Sequence, residues 1–325
     1  MNNLESKLSC VVMAIGTVSA VFSGILAFLS LKIRPTYLNR YQHILVAIAF
    51  TGVIYSICEI CTVPYWYVSD GDFVLFAVGP IQNGRVAQNL LLTFAISFMQ
   101  SLFLISYSFV FQYAQVCRSQ WFRKFPYLIF ISPMLNIILI SNWLVAVIYC
   151  FTPTNAKMKK ATDFVLQNMK INLNGRPFLG FSLDLQKSDT LFFIFIFNML
   201  FLFFLLFFCI VFSVNRIISK VSSDLSNRNH FSSIYRLLLV QCISPTLFTI
   251  FPCTFNMITG VLGIDLGEII PFILASLLPM YPAVNAVLIV WQIKDFRSFL
   301  FFCCVKKQRS NSVMVDRRKS TVVSM

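Results

Sequence analysis

One carboxylate, Glu59, interrupts the apolar runs of this 325-residue sequence. An ionisable side chain in such a run either recognises a ligand or reaches out to the lipid headgroups at the end of its helix. A second set of polar groups lies further on. At 100° per residue, Asn89, Thr93, Ser97, Gln100, Ser101, Tyr107 and Ser108 share a sector of about 120°, with Phe94, Phe98, Phe103 and Phe109 outside or at its margins. This pattern predicts a helix that turns hydrogen-bonding groups inward and phenylalanines outward. Ser101 and Ser108 suit helix-to-helix contacts. Asn89, Thr93 and Ser97, with Glu59 and Asn256, are the candidates for binding a small molecule between helices.

Other chemistry is missing. The chain holds only two histidines, and its ten cysteines lack metal-ligand spacing, so neither a metal site, nor a cofactor, nor an enzyme is expected. A retinal Schiff base needs a lysine deep in the last apolar run. That run, 270–293, has none, and Lys294 is already at its edge.

The elements that position these residues are membrane helices. The sequence is 58% hydrophobic and 12% charged, with 36 phenylalanines, whereas a soluble domain is about a quarter charged. Crossing a bilayer takes roughly 20 apolar residues as helix. Seven runs qualify, at about 8–31, 43–65, 88–113, 127–150, 190–214, 237–259 and 270–293. No alternation marks a barrel. The first run is too long for a signal-peptide core and reads as a retained anchor. The 66–87 segment, with Asp70, Gly71, Asp72, Gly79, Pro80 and Gly84, reads as a loop, and 151–189 is the longest connection. The expected fold is therefore an all-α membrane protein of seven transmembrane helices. Its membrane domain covers 1–302, and a basic tail covers 303–325.

The net charge of +14 is unevenly distributed. The first, third and fifth connections and the tail hold 18 lysines and arginines, against 8 on the other side, six of those in 151–189. Cytoplasmic loops retain such an excess. The amino terminus is thus expected outside and the carboxyl terminus in the cytoplasm. The charge marks membrane topology and not a nucleic-acid partner.

Prolines cluster late. Pro245 and Pro252 lie in the sixth run, and Pro271, Pro279 and Pro282 in the seventh. Each interior proline removes a backbone hydrogen bond and bends its helix. With Tyr281 and Asn285, Pro245, Pro252, Pro279 and Pro282 are the expected switch positions. Cys10, Cys61, Cys150 and Cys253 fall near the expected outer ends of helices, where free thiols are the default reading and connectivity is open. Cys303-Cys304, just after a short amphipathic stretch from Lys294 to Phe302, suits palmitoylation. Arg317-Arg318-Lys319-Ser320 resembles a basophilic kinase site, although short basic-serine matches arise easily by chance.

The runs Ile264-Asp265-Leu266-Gly267, Pro279-Met280-Tyr281-Pro282-Ala283 and Ile293-Lys294-Asp295-Phe296-Arg297 resemble the closing signature of nematode chemosensory receptors. They are most similar to the Str group, serpentine receptor class r. Arg34 to Tyr41 resembles that group's first cytoplasmic loop. Pro64 matches its proline after the second helix, and Gln241 and Pro245 fit the start of its sixth. The resemblance implies a receptor for small environmental chemicals on the plasma membrane of sensory-neuron cilia, signalling to a heterotrimeric G protein. Gln112, Tyr113, Arg118, Lys220, Arg236, Lys294 and Arg297 would then face that G protein. Two departures stand out. Gln112 occupies the place of the group's arginine at the end of the third helix, and a neutral amide lacks its charge-assisted contacts. Asn285 and Ala286 replace an acidic residue and a proline. A signalling-impaired receptor, a ligand-gated channel subunit and a small-solute transporter are the competing expectations. The charge bias opposes the channel type, whose amino terminus lies inside. Absent repeats and near-absent membrane charges oppose the transporter.

Overall fold

A computed structural model describes residues 3–33, 41–69, 71–117, 128–154, 158–160, 162–163, 165–166, 173, 176–223, 242–264, 266–267 and 269–300. Seven of its helices are long and apolar enough to cross a membrane. They are α1 (Asn3–Lys32), α2 (Gln42–Thr62), α3 (Gly84–Cys117), α4 (Leu128–Phe151) and α5 (Thr190–Ser223), then α6 (Cys242–Leu262) and α7 (Ile269–Gln292). Arg118, Arg236, Gln241, Cys303, Cys304 and the Arg317–Ser320 run lie outside the described residues.

α5 shows why these segments need lipid. Phe192, Ile196, Met199, Phe203, Leu206 and Ile210 recur at three- and four-residue steps and are buried against the bundle. Phe197, Phe201, Phe204 and Phe208 form the opposite stripe and are more than half exposed. Water would strongly oppose that surface, whereas hydrocarbon does not.

Proline chemistry shapes the last two helices. In α6 the segment Thr246–Ile250 widens into a π turn, closed by the Phe251 N–H donating to the Thr246 carbonyl five residues back. Pro252 follows at once. It has no N–H to give the preceding turn, and its ring crowds that turn, which the extra residue relieves. α7 breaks into Ile269–Leu277 and Met280–Gln292 around Pro279 and Pro282. At the break Tyr281 N–H reaches only three residues back, to the Leu278 carbonyl at 3.2 Å. The Ser19 hydroxyl of α1 donates to the Pro279 carbonyl, the kind of repair a bent membrane helix requires.

One expectation is corrected. Part of 66–87 is not loop but a hairpin of β1 (Pro64–Ser69) and β2 (Asp72–Ala77), joined by β3 (Phe178–Ser182) from the long connection. All pairs are antiparallel, in the order β1-β2-β3, with Ser69 opposite Asp72 and Phe73 opposite Phe181. The second helix therefore ends at Thr62 and not near 65. Val63 turns left-handed (φ 42°), its N–H capping the Glu59 carbonyl, and Pro64 starts the strand. The physical reason lies in the sequence Asp70-Gly71. Gly71, at φ +79°, supplies the positive φ that a two-residue hairpin turn needs. The runs on either side are aromatic and β-branched. Every residue of β2 and β3 is buried, so the sheet is covered on both faces and sits as a plug in one end of the bundle. Gly180 permits this closeness, since a Cβ there would lie 2.5 Å from the Phe73 carbonyl oxygen.

Candidate functional site

Beneath the sheet lies a small, open-mouthed cavity. Trp66, Phe73, Leu75 and Leu179 of the sheet roof it. Phe94, Ala95 and Phe98 of α3, Trp143, Val147 and Phe151 of α4, Met199 of α5, and Cys253 and Met257 of α6 form the walls. The walls are held by directed contacts. Trp143 Nε1 donates to the Ala95 carbonyl at 3.0 Å, and Phe203 meets both Trp143 and Phe98 edge-on. In the roof, Phe73 stacks on Phe181 at 5.5 Å between centroids, and Phe151 meets both rings edge-on. A cavity with six aromatic residues and no charged side chain in its lining suits a small, largely apolar molecule.

α3 contributes differently from its sequence pattern. Phe94, Phe98, Phe103 and Phe109 are buried, while Asn89 is exposed. The inward side is thus aromatic as well as polar, since Ser97, Ser101 and Ser108 are buried too. Three of the hydroxyls bond their own helix, while that of Ser108 meets Tyr41 at the start of α2. Thr93 donates to the Asn89 carbonyl (2.8 Å), Ser97 to Phe94 (3.0 Å) and Ser101 to Ser97 (2.8 Å). Asn89, Thr93 and Ser97 are absent from the cavity lining.

Glu59 and Asn256 lie deeper. Glu59 is 1% exposed and so does not reach the headgroups. Its Oε1 accepts a long hydrogen bond from the Tyr55 hydroxyl at 3.4 Å. Tyr55 packs its ring on Phe94 at 5.2 Å and lies within electrostatic range of Cys253 and Tyr281. Asn256 of α6 is fully buried and lies between Cys253 and Met257 in the sequence, but is absent from the cavity lining. Among the described residues, Glu59 Oε2, both polar atoms of Asn256, the Tyr281 hydroxyl and Trp66 Nε1 are buried without a hydrogen-bond partner.

An ionic clasp fastens the roof. Lys160 Nζ donates to Asp72 Oδ1 (3.1 Å), Ser182 Oγ (2.8 Å) and Asp184 Oδ2 (2.8 Å), joining both sides of the β2–β3 pair. Burial alone would lower the Lys160 pKa, but the bonds to Asp184 and Asp72 outweigh it and raise it. The bond from Lys160 in turn lowers the Asp184 carboxyl. In the sequence Lys160 is one of the six lysines and arginines of 151–189.

The expected switch residues gather mid-bundle. Tyr281, Pro282, Asn285 and Ala286 of α7 line a small space with Ser23 of α1, Ile48, Ala49 and Gly52 of α2, and Ser101 of α3. Pro245 and Pro252 flank the π turn, a helix away. At the end opposite the sheet, Gln112 Nε2 donates to the Tyr41 hydroxyl at 3.2 Å, and Tyr41 also bonds Ser108. Tyr113 packs edge-on against Phe212 of α5. Lys220 is exposed at the end of α5. After Ile293 the chain is helical again over 294–300, with Phe296 fully buried. Lys294 of this segment is exposed, and the Arg297 guanidinium lies over Trp291. Cys10, Cys61 and Cys253 are free thiols, and the Cys150 thiol donates to the Phe192 carbonyl at 3.9 Å.

A membrane bundle of seven spans, bent at prolines and sheltering a roofed cavity between its helices, defines a seven-transmembrane receptor. Residues 9–301 match the family model described as serpentine type 7TM GPCR chemoreceptor Str, and the chain belongs to that family. It is accordingly a multi-pass membrane protein of the chemoreceptor GPCR type. A search of curated proteins finds no match.

Proposed function

We propose that this receptor binds a small, mostly apolar environmental molecule in the cavity beneath the sheet and signals to a heterotrimeric G protein. The sheet end faces outward, and the opposite end and basic tail face the cytoplasm, in keeping with the bias of lysine and arginine. The membrane is the plasma membrane, that of a sensory cilium in keeping with the family. The cavity walled by α3, α4, α5 and α6 carries this reading. A ligand there touches α6 beside its π turn, and a differential contact with that helix would shift the balance between two arrangements of the bent α6 and α7. Gln112, Tyr113, Lys220, Lys294 and Arg297, with Arg118 and Arg236, serve the G-protein side.

The test is Ala95→Phe, which fills the cavity from α3. In cells reporting cyclic nucleotide or calcium, it is expected to abolish the response to any active compound while surface expression persists. An unchanged dose-response curve overturns the cavity as the binding site.

A further inference from the structure

Glu59 is a carboxylate one turn below the sheet, buried, with one oxygen unpartnered and the other held only by a long contact from Tyr55. Among the described residues it has no ion-pair partner. The described salt bridges at this end both belong to Lys160, which is committed to Asp72 and Asp184. A buried charge without a counter-charge is strongly disfavoured. Two other buried groups of the bundle are also unsatisfied, Asn256 of α6, which is 0% exposed, and the Tyr281 hydroxyl of α7. Glu59 stands behind the cavity lining, and Tyr55 links it to the aromatic cavity, since its ring rests on Phe94 and it lies within electrostatic range of Cys253, both cavity walls.

We propose that Glu59 is the counter-ion for a cationic ligand, so that the receptor reads a small organic amine in its ammonium form. This rests on the cavity being the ligand site. The apolar body of the amine occupies the space among Trp66, Phe98 and Trp143, and its nitrogen points toward α2. A primary ammonium carries three N–H donors. Glu59 Oε2 is a buried acceptor with no partner among the described residues, and it takes one of them. Aromatic faces attract a cation as it passes. A long contact such as that from Tyr55 to Glu59 is readily exchanged for a charge-assisted one. An ionised Glu59 would repel an anionic ligand, and a neutral ligand would offer it no counter-charge.

The test uses the full-length receptor in lipid nanodiscs, with quenching of tryptophan fluorescence as readout, because Trp66 and Trp143 line the cavity. The probes are n-hexylamine and 1-hexanol, matched in length and differing in charge at neutral pH. Hexylamine is expected to bind the wild type at least about tenfold more tightly than hexanol, and Glu59→Gln to remove that difference without weakening hexanol. Glu59→Asp, which keeps the charge, should retain a preference for the amine, and this variant decides the matter if Glu59→Gln does not fold. Equal binding of both probes, unaltered by either substitution, overturns the ammonium proposal and leaves the cavity reading standing. Binding of neither probe to the wild type overturns both.

Discussion

The two ends of the bundle are closed by different means. At the sheet end, three strands buried on both faces, a set of stacked phenylalanines and a lysine with three partners cover the cavity. At the opposite end, α2 and α3 are joined by neutral bonds among Tyr41, Ser108 and Gln112, and the 294–300 segment rests on its buried Phe296. The first arrangement resists displacement. It keeps the cavity shaped before a ligand arrives. The second rests on contacts worth about 1 kcal/mol each, so modest forces rearrange it. Between them lie the bends of α6 and α7, where backbone hydrogen bonds are already missing. The proposed function needs this asymmetry, with a pre-formed site at one end and a loosely held surface at the other.

The largest expected break in this comparison is at Gly180. In Gly180→Ala the new methyl would meet the Phe73 carbonyl oxygen at 2.5 Å, backbone against which nothing flexible can give way. The β2–β3 pairing must shift, at a cost of about 2–3 kcal/mol. Thermal unfolding of the purified protein should begin markedly earlier, and ligand response should fall with it. An unchanged melting profile would mean that the sheet does not hold the site.

Removing the clasp comes next. Lys160→Met leaves Asp72, which is 4% exposed, without its cation, and the expected loss is about 1–2 kcal/mol. Ligand potency should drop several-fold while basal signalling stays constant. The pH dependence has a definite sign. Asp184, lowered by Lys160, supports the clasp above its ordinary pKa and loses it only as pH falls through the depressed value. Lys160, raised, holds its proton until pH climbs through the elevated value. Roof stability measured by tryptophan fluorescence should therefore be flat across neutral pH and fall at both extremes. A fall within the neutral range would contradict the clasp.

At the opposite end Tyr41→Phe removes the hydroxyl shared by Ser108 and Gln112. The expected cost is about 0.5–1.5 kcal/mol. The comparison predicts the reverse signature, with basal signalling altered and ligand affinity unchanged. If Tyr41→Phe and Lys160→Met shift the same quantity, the two ends are not functionally distinct.

Much of this architecture was legible in the residues. Seven apolar runs of span length leave helices as the economical solution in lipid, and Glu59 stood out as the only acid within them. The prolines marked the bends where α6 widens and α7 breaks. The sheet was not legible from period-two alternation, because a strand buried on both faces reads as an unbroken apolar run, Phe73-Val74-Leu75-Phe76 being the example. The turn Asp70-Gly71 was its only local sign. The cavity was hidden for a related reason. Its α3 wall is made of Phe94 and Phe98, and a polar stripe drew attention to the neighbouring face.

The smallest expected effect tests that last point. Asn89 lies near the start of α3, is exposed, and contributes its backbone carbonyl to Thr93 while its side chain is outside the cavity lining. Asn89→Leu keeps that carbonyl. Exposed substitutions of this kind change stability by less than about 0.5 kcal/mol, and no cavity contact is lost. The dose-response curve should therefore superimpose on the wild type, although polar periodicity alone would make Asn89 a ligand contact. A rightward shift would mean that the ligand leaves the aromatic chamber and lies along the polar face of α3. In that case the roof would act as a lid over an entry path, and the contrast between the two ends would have to be drawn one helical turn closer to the mouth.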